Sequence, residues 1–222
     1  MTRRFKTNSL ADQVYEQLEN DIIQGVYPKG TMLTELKLVE RLGVSRTPIR
    51  EALRHLERER LIEDTGKGSM VLGISMEDME DIMIIRERVE GIAAYHAAQN
   101  ITAEEREAMD HLMQLQEFYF QQKDADRLRQ IDDQFHESIC TMSKRTVITD
   151  TLIPLTRKTR RYRRLSMDDW DWVAMARRDH EKIYQAIVAG DAEGARQATE
   201  EHIRDTWIHM RDIVLSREEA EV

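Results

Sequence analysis

The stretch GVSRTPIREALRHLERERLI, residues 43–62, decides the fold of the first third of the chain. Ser45 is a suitable N-cap, and Pro48 falls in the first turn of a helix, where its missing N–H leaves no hydrogen bond unmade. The apolar residues of the stretch recur at helical spacing and define one buried face: Ile49, Leu53 and Leu56. The pattern therefore predicts an amphipathic helix that follows Ser45.

A shorter helix precedes this one in TELKLVERLG, residues 34–43. Thr34 can cap its first turn, and Gly43 can end it, because glycine readily adopts the left-handed backbone at a helix C-terminus. Two short helices joined by a tight glycine turn form a helix-turn-helix.

A further helix is predicted after the Ser9 cap, with an apolar face formed by Leu10, Val14, Leu18 and Ile22.

The segment LIEDTGKGSMVLGI, residues 61–74, has the pattern of two short strands around a tight turn. The turn carries one basic side chain between two glycines, at Gly66, Lys67 and Gly68. A helix-turn-helix followed by such a hairpin is a winged helix-turn-helix. We therefore expect this fold for residues 1–74.

The predicted helix after Ser45 also carries an arginine every four residues, at Arg46, Arg50, Arg54 and Arg58. On an isolated helix, such a stripe is most often a solvated face. Here it lies on the second helix of a helix-turn-helix, which is the element that enters the major groove of DNA. Guanidinium groups bind guanine O6 and N7 or hold phosphate. The context therefore favours DNA binding over a solvated face.

Residues 14–62 resemble the DNA-binding domain of GntR-type bacterial transcription regulators, and GVSRTPIREAL, residues 43–53, is the specific core of that likeness. The resemblance implies base or phosphate contacts from the second helix and from the wing, at Arg46, Thr47, Arg50, Gly66, Lys67 and Gly68. The arginine stripe adds Arg54. The partner is then double-stranded DNA, and a homodimer with two-fold symmetry would bind a palindromic operator.

Charge is distributed unevenly along the 222 residues, whose net charge is −9. Residues 1–74 hold 12 Lys and Arg against 11 Asp and Glu, whereas residues 75–222 hold 21 against 31. Phosphate therefore repels the first part less than the second, which suggests two domains with different partners. Residues 75–222 show only helical patterns. We predict a mainly α protein in which an all-α antiparallel bundle follows the winged helix-turn-helix.

Other features restrict the class of protein. Cys140 is the single cysteine, so no internal disulfide can form, which fits a reducing cytoplasm. No apolar run approaches the roughly 20 residues of a membrane span, and the first ten residues lack the apolar region of a secretory signal. We therefore expect a soluble cytoplasmic protein. The basic run RKTRRYRR, residues 157–164, is expected to form an exposed helix face or an interface.

Four side chains in the second part suggest a metal site. Asp132 and His136 are four apart and so share one face of a helix, beside an apolar stripe. His180 and His202 each lie 11 residues from the centre of a predicted helix connection, AGDAEG, so in an antiparallel pair they would face each other. A lone histidine on an apolar face is usually a core residue. Three imidazoles and a carboxylate together suit a divalent ion, with zinc first and nickel, manganese or iron as alternatives.

The motif DxxFH at residues 132–136, HxxIxxAIxxGD from His180, and His202 resemble the FCD ligand-binding domain of the FadR branch of GntR regulators. The resemblance implies that one Asp and three His hold the divalent ion, here Asp132, His136, His180 and His202. It also slightly favours an effector-binding role for Arg86, which could otherwise pair with Glu90. The expected effector is a small organic acid that binds at the metal.

The same four metal-ligating side chains are also compatible with two other functions. A metal-dependent hydrolase also needs an open coordination position, and a purely structural metal needs no effector. The sequence carries no nucleophile motif and no general base at a telling spacing, and a hydrolase would leave the winged helix unexplained. A regulator whose metal is purely structural stays open as an alternative. We therefore predict a ligand-responsive transcription repressor, and not an enzyme.

Overall fold

The computed structural model describes residues 9–159, 163, 166 and 168–220. Over these residues the chain is mainly helical, as predicted. The chain divides into two compact units, Met1–Ser75 and Met76–Val222. Residues 160–162 and 164 of the basic run, expected to be an exposed face or an interface, lie outside the described residues.

The first unit is a winged helix-turn-helix. Its elements in chain order are α1 (Leu10–Ile23), β1 (Met32–Leu33), α2 (Glu35–Leu42), α3 (Arg46–Arg58), β2 (Ile62–Asp64) and β3 (Ser69–Val71). The strands form an antiparallel sheet in the order β1-β3-β2. The β2–β3 hairpin is the predicted wing. The sequence did not predict β1, because two residues are too few to show an alternating pattern.

Helix ends follow the predicted caps, with one exception. The Ser9 hydroxyl accepts from the backbone of Asp12, whose carboxylate accepts from the backbone of Ser9 in return, which completes a capping box. Thr34 caps α2, and Gly43 ends it with a φ of 68°. Ser45 occupies the N-cap position of α3, but its side chain makes no capping hydrogen bond. The predicted position of this cap is therefore confirmed, but the prediction that the Ser45 side chain makes the capping hydrogen bond was wrong.

The core of the first unit joins α1, α3 and the sheet. Leu18 and Leu56 are fully buried, and Ile62 and Val71 bring the wing strands into the same cluster. Truncating a leucine buried to this extent to alanine costs about 2–5 kcal/mol. Leu10, predicted to lie on the same face as Leu18, is instead 50% exposed, because it is the first residue of α1 and lies beyond the cluster.

The second unit is entirely helical over its described residues. Its helices are α4 (Met76–Asn100), α5 (Ala103–Gln122), α6 (Ala125–Met142), α7 (Thr146–Lys158), α8 (Trp170–Val188) and α9 (Ala192–Ala220). The predicted capping box of Thr102 and Glu105 starts α5. No helix in the described part of the chain combines the length and apolar character that crossing a bilayer requires.

Helices α4 and α9 pack together closely where Gly91 faces Glu200. A Cβ atom at Gly91 would lie 2.7 Å from Glu200 Cγ, so a larger residue would force the side chain of Glu200 to move. The bundle core behind this contact contains Phe135, Ile139 and Ile183, which come from α6 and α8. The packing fixes the facing sides of α6, α8 and α9, which carry the candidate ligands.

Candidate functional site

Three buried histidines converge inside the second unit. His136 lies on α6, His180 on α8 and His202 on α9, and each offers one ring nitrogen within 4.8 Å of the others. The Nε2 atoms of His180 and His202 are 3.2 Å apart. Two ligands of a tetrahedral zinc ion, each ~2.1 Å from the metal, lie about 3.4 Å from each other. The spacing of this pair therefore suits a shared divalent ion.

Asp132 lies beside this cluster, one helical turn before His136. Its Oδ1 is 3.5 Å from Nε2 of His180 and 3.9 Å from Nε2 of His136. Its Oδ2 accepts a hydrogen bond from the guanidinium of Arg163. Burial raises the pKa of Asp132, but the positive charge of Arg163 lowers it by more, so the pKa of this carboxyl lies below its usual range. The group is therefore an anionic carboxylate with one oxygen facing the imidazoles.

The remaining nitrogens of two rings face carboxylates. Nδ1 of His136 lies 2.9 Å from Glu90 Oε2, and Nδ1 of His202 lies 3.9 Å from Asp179 Oδ2. A metal-ligating histidine typically directs its second nitrogen to a carboxylate or carbonyl, which fixes the ring orientation and makes the ligand more basic. The distance at His136 is short enough for such a contact, whereas 3.9 Å at His202 is too long for a hydrogen bond, and neither Nδ1 atom makes a well-aligned hydrogen bond within the described residues. The Nε2 atoms of both rings are left for an ion.

His180 has an amide partner instead. Its Nδ1 is 2.7 Å from Gln116 Nε2, while Gln116 Oε1 has no hydrogen-bond partner among the described residues. If the amide oxygen and nitrogen of Gln116 exchange places, Oε1 of Gln116 accepts a hydrogen bond from Nδ1–H of His180. The lone pair on Nε2 of His180 is then free to bind an ion. The unpartnered oxygen therefore fits a His180 that binds a metal through Nε2.

The site favours neutral imidazoles. Burial lowers the pKa of His180 well below its usual value, and the neighbouring His202 lowers it further. Burial also lowers the pKa of His202, although Asp179 partly opposes this effect. Neutral imidazole is the form that binds metal ions, so both rings are held in the binding form.

Arg86 is 1% exposed and lines the same cavity as the histidines. Its Nε donates to Glu90 Oε1 at 2.6 Å, and its Nη1 donates to Thr159 Oγ1 at 3.2 Å. The pairing with Glu90, which the sequence left open, is therefore present. Through Glu90, Arg86 also supports the ring of His136.

The cavity has a volume of about 40 Å³ and contains polar residues that sequence reasoning did not place there. Among them are Gln116, Ser166, Arg177 and Thr206. For Gln116 a signal was available, because it interrupts an apolar stripe of α5 that runs through Met109, Met113 and Phe120. Cys140, by contrast, is not part of the histidine cluster, and burial raises its thiol pKa to about 12.

The candidate DNA-binding residues lie on the surface of the first unit. Four of them, Arg46, Thr47, Arg50 and Arg54, are exposed on α3. A groove between α3 and the wing is lined by five of the predicted residues: Arg50, Arg54, Gly66, Lys67 and Gly68. The structure therefore brings the arginine stripe and the tip of the wing to one groove, as expected for elements that bind a duplex together.

The wing depends on its second glycine. Gly68 has a φ of 148°, and a Cβ atom there would lie 2.8 Å from the backbone oxygen of Leu33. Glycine is therefore required for the close approach of the hairpin to β1. The backbone N–H of Gly66 donates to Asp64 Oδ1 at 2.8 Å, which ties the turn beside exposed Lys67.

Comparison with known proteins gives two family matches. The family described as "Bacterial regulatory proteins, gntR family" matches residues 10–71, and the family described as "FCD domain" matches residues 81–205. Together these ranges contain every candidate residue of the DNA-binding groove and of the histidine cluster.

Similarities to individual proteins agree with these family matches. The HTH-type transcriptional repressor RspR of Escherichia coli (strain K12) is 28% identical over 208 residues, which cover 93% of this chain and 91% of that protein. The gluconate operon transcriptional repressor of Bacillus licheniformis is 31% identical over 123 residues, covering 55% of this chain and 51% of that protein. The structure of E. coli McbR/YncC is similar in fold, with a TM-score of 0.77, 20% identity, and coverage of 93% of this chain and 99% of that one.

The FCD match covers more than half of the chain, and the DNA-binding match covers most of the remainder. The relatives that carry functional names are transcription regulators and not enzymes. The chain belongs to the GntR family of bacterial transcription regulators, as a DNA-binding, ligand-responsive member with an FCD domain.

Proposed function

We propose that this chain is a repressor whose binding to its operator is controlled by a small carboxylate held at a divalent metal ion. The ion would be bound by Asp132, His136, His180 and His202. One observation carries this proposal: three helices each direct a buried imidazole to one point, with the Nε2 atoms of His180 and His202 3.2 Å apart.

The ligand types support zinc as the ion in the purified protein. Imidazole and carboxylate suit zinc, nickel, manganese and iron, and zinc binds such sets more tightly than manganese or iron. The second contacts from Glu90 and Gln116 would hold two of the rings in place. We therefore expect about one zinc ion per chain, with nickel, manganese or iron as the other candidates.

The charge of the site supports an anionic effector. A divalent ion bound by three neutral imidazoles and one carboxylate keeps a net positive charge. If the ion is five- or six-coordinate, the four protein ligands leave one or two coordination positions open. A carboxylate oxygen of a hydroxy acid or sugar acid suits such a position, and Arg86 lines the cavity beside it. One relative is named for the gluconate operon, and gluconate is a sugar acid.

The first unit would bind the operator. Arg46, Thr47, Arg50 and Arg54 would enter the major groove with α3, while Lys67, between Gly66 and Gly68, would contact the backbone from the wing. In a homodimer, two such units would bind the half-sites of a palindrome. Effector binding would tighten α6, α8 and α9 around the ligand and change the spacing of the two winged helices, so that the operator no longer fits both.

The test is a titration of operator-bound protein with small carboxylates, followed by fluorescence anisotropy. The zinc-loaded wild type should release DNA, whereas His202→Ala should bind DNA normally and respond weakly or not at all. His209→Ala provides a control, because His209 is on the same helix and outside the cluster. A full response from metal-free His202→Ala would contradict the proposal. Metal binding without any carboxylate response would indicate a purely structural ion, and turnover of the acid would indicate an enzyme.

A further inference from the structure

We propose that Glu35 determines which DNA sequences the first unit prefers, by holding Arg50 in the orientation that reads a guanine. Glu35 is a positioning residue, since it acts through Arg50 and contacts no base itself. The inference rests on the proposed placement of α3 in the major groove. It adds the reason why Arg50 binds a base in preference to a phosphate.

The contact between the two residues fixes one edge of the guanidinium group. Glu35 lies in the first turn of α2, and its Oε1 accepts a hydrogen bond from Nε of Arg50 on α3 at 2.6 Å. Within the described residues, the terminal nitrogens of Arg50 make no hydrogen bond. These two nitrogens are donors that O6 and N7 of one guanine can accept from together.

The orientation matters because every duplex offers Arg50 a second type of acceptor. An arginine side chain is long and flexible, and its guanidinium binds phosphate as readily as it binds guanine. A phosphate contact carries no sequence information. The bond from Nε to Glu35 restricts the side chain before DNA arrives, and such preorganisation favours the one acceptor that lies in front of the terminal nitrogens.

Glu35 is itself held at the start of a regular element. The Thr34 side chain caps α2 by accepting from the backbone N–H of Lys37 at 3.4 Å. The helix dipole stabilises a carboxylate in the first turn. The hydrogen bond from Arg50 lowers the pKa of Glu35 below its ordinary value, so the group is an anion at neutral pH. The partner of Arg50 is therefore a charged group fixed on a helix.

The surroundings of the pair suit recognition better than folding. The side chain of Arg50 is 57% exposed and that of Glu35 is 35% exposed, and ion pairs as exposed as this one add little to stability. Both residues line the groove between α3 and the wing, together with Lys67. A carboxylate in that groove repels the phosphates of any duplex, and a repulsion that only the correct contact offsets is a common source of specificity.

Gel-shift titration with modified operators tests this inference. The operator is first selected from random duplexes with the wild-type protein, and each guanine is then replaced in turn by 7-deazaguanine, which keeps O6 but lacks the N7 acceptor. The wild type should lose about 3–10-fold in affinity at one guanine per half-site, the effect of one hydrogen bond. Glu35→Ala should bind the unmodified operator more weakly, and the replacement should then have little further effect. If Glu35→Ala loses as much affinity at that guanine as the wild type, the inference is overturned.

Binding to a duplex that lacks the operator separates positioning from folding. Glu35→Ala should bind such a duplex at least as tightly as the wild type, because a negative charge has left the groove. A variant that had only lost stability would bind both duplexes more weakly. Parallel losses for the operator and the unrelated duplex would therefore contradict the role of Glu35.

Two further variants separate the hydrogen bond from the charge. Glu35→Gln keeps an oxygen that can accept from Nε of Arg50, so it should retain most of the discrimination against 7-deazaguanine. Glu57→Ala is the matched control, because Glu57 is an exposed carboxylate on α3 that lines the same groove and makes no hydrogen bond to Arg50. It should bind the unrelated duplex more tightly and keep the full discrimination. Loss of discrimination in Glu57→Ala would show that charge alone is responsible, which contradicts the inference.

Arg50→Ala distinguishes the failure of this inference from the failure of the groove assignment. If Arg50→Ala abolishes discrimination at that guanine while Glu35→Ala keeps it, only the role of Glu35 is wrong. If Arg50→Ala keeps it, or the wild type discriminates at no guanine, Arg50 does not read a base, and the role of Glu35 fails with that assignment.

Discussion

Arg50 Nε donates to Glu35 Oε1 at 2.6 Å, which links the second helix of the helix-turn-helix to the first turn of α2. The bond uses Nε and leaves both terminal nitrogens of the guanidinium for other acceptors. Guanine O6 and N7 can accept from two such nitrogens at once. The contact therefore places Arg50 in a position from which it can read a base pair.

Replacing Arg50 by alanine should weaken specific operator binding by about 1–3 kcal/mol and relax the preference at one base pair per half-site. Gel-shift titration against operators with single substitutions measures both effects. Arg58→Ala is the control, since Arg58 is in the last turn of α3 and does not line the groove. Operator affinity that is unchanged in Arg50→Ala would refute the assignment of α3 to the major groove.

Replacing Lys67 by alanine should weaken binding to all DNA sequences to a similar extent. Lys67 is exposed at the tip of the wing and would contact phosphate, which carries no sequence information. The slope of log affinity against log salt should fall by about 1, the effect of one lost phosphate contact. A loss confined to one operator sequence would instead indicate that Lys67 contacts a base.

Replacing Gly68 by alanine should destabilise the first unit by about 1–3 kcal/mol, because its backbone conformation disfavours a side chain and the new Cβ would meet Leu33. Gly66→Ala provides the control, since a Cβ at Gly66 would meet nothing within 4 Å. Urea unfolding should show the larger loss for Gly68→Ala. Equal losses would mean that the contact with Leu33 contributes nothing.

Removing the metal should lower the melting temperature. An ion present at 100 times its Kd contributes about 2.7 kcal/mol to the free energy of unfolding. For a protein of this size, that corresponds to roughly 5–10 °C. Differential scanning calorimetry with and without a chelator measures the shift. The melting temperature of the His202→Ala variant should hardly change when chelator is added. A shift as large as that of the wild type would mean that the ion binds elsewhere.

The first unit was largely predictable because its signals are local. Ser9, Thr34 and Gly43 mark helix ends through short-range hydrogen bonds and backbone preference, and the apolar period identifies the buried faces. Strand β1 escaped prediction, since it is defined only by its pairing with β3 across the unit.

The histidine cluster was predictable only in part. Periodicity places His180 and His202 on facing sides of a helical pair, because the connection between their helices is short. It cannot reveal which residue of another helix lies behind each ring. The contacts of Gln116 with His180 and of Glu90 with His136 therefore became apparent only from the packing of α5 and α4 against α8 and α6.

The metal content of the wild-type chain tests the central claim most directly. Elemental analysis of protein purified without chelators should find about one divalent ion per chain, with zinc predominant. His202→Ala should contain much less, because one of the converging imidazoles is lost. A wild-type protein that contains no stoichiometric metal, and takes up none when zinc, nickel, manganese or iron is added, would contradict the account.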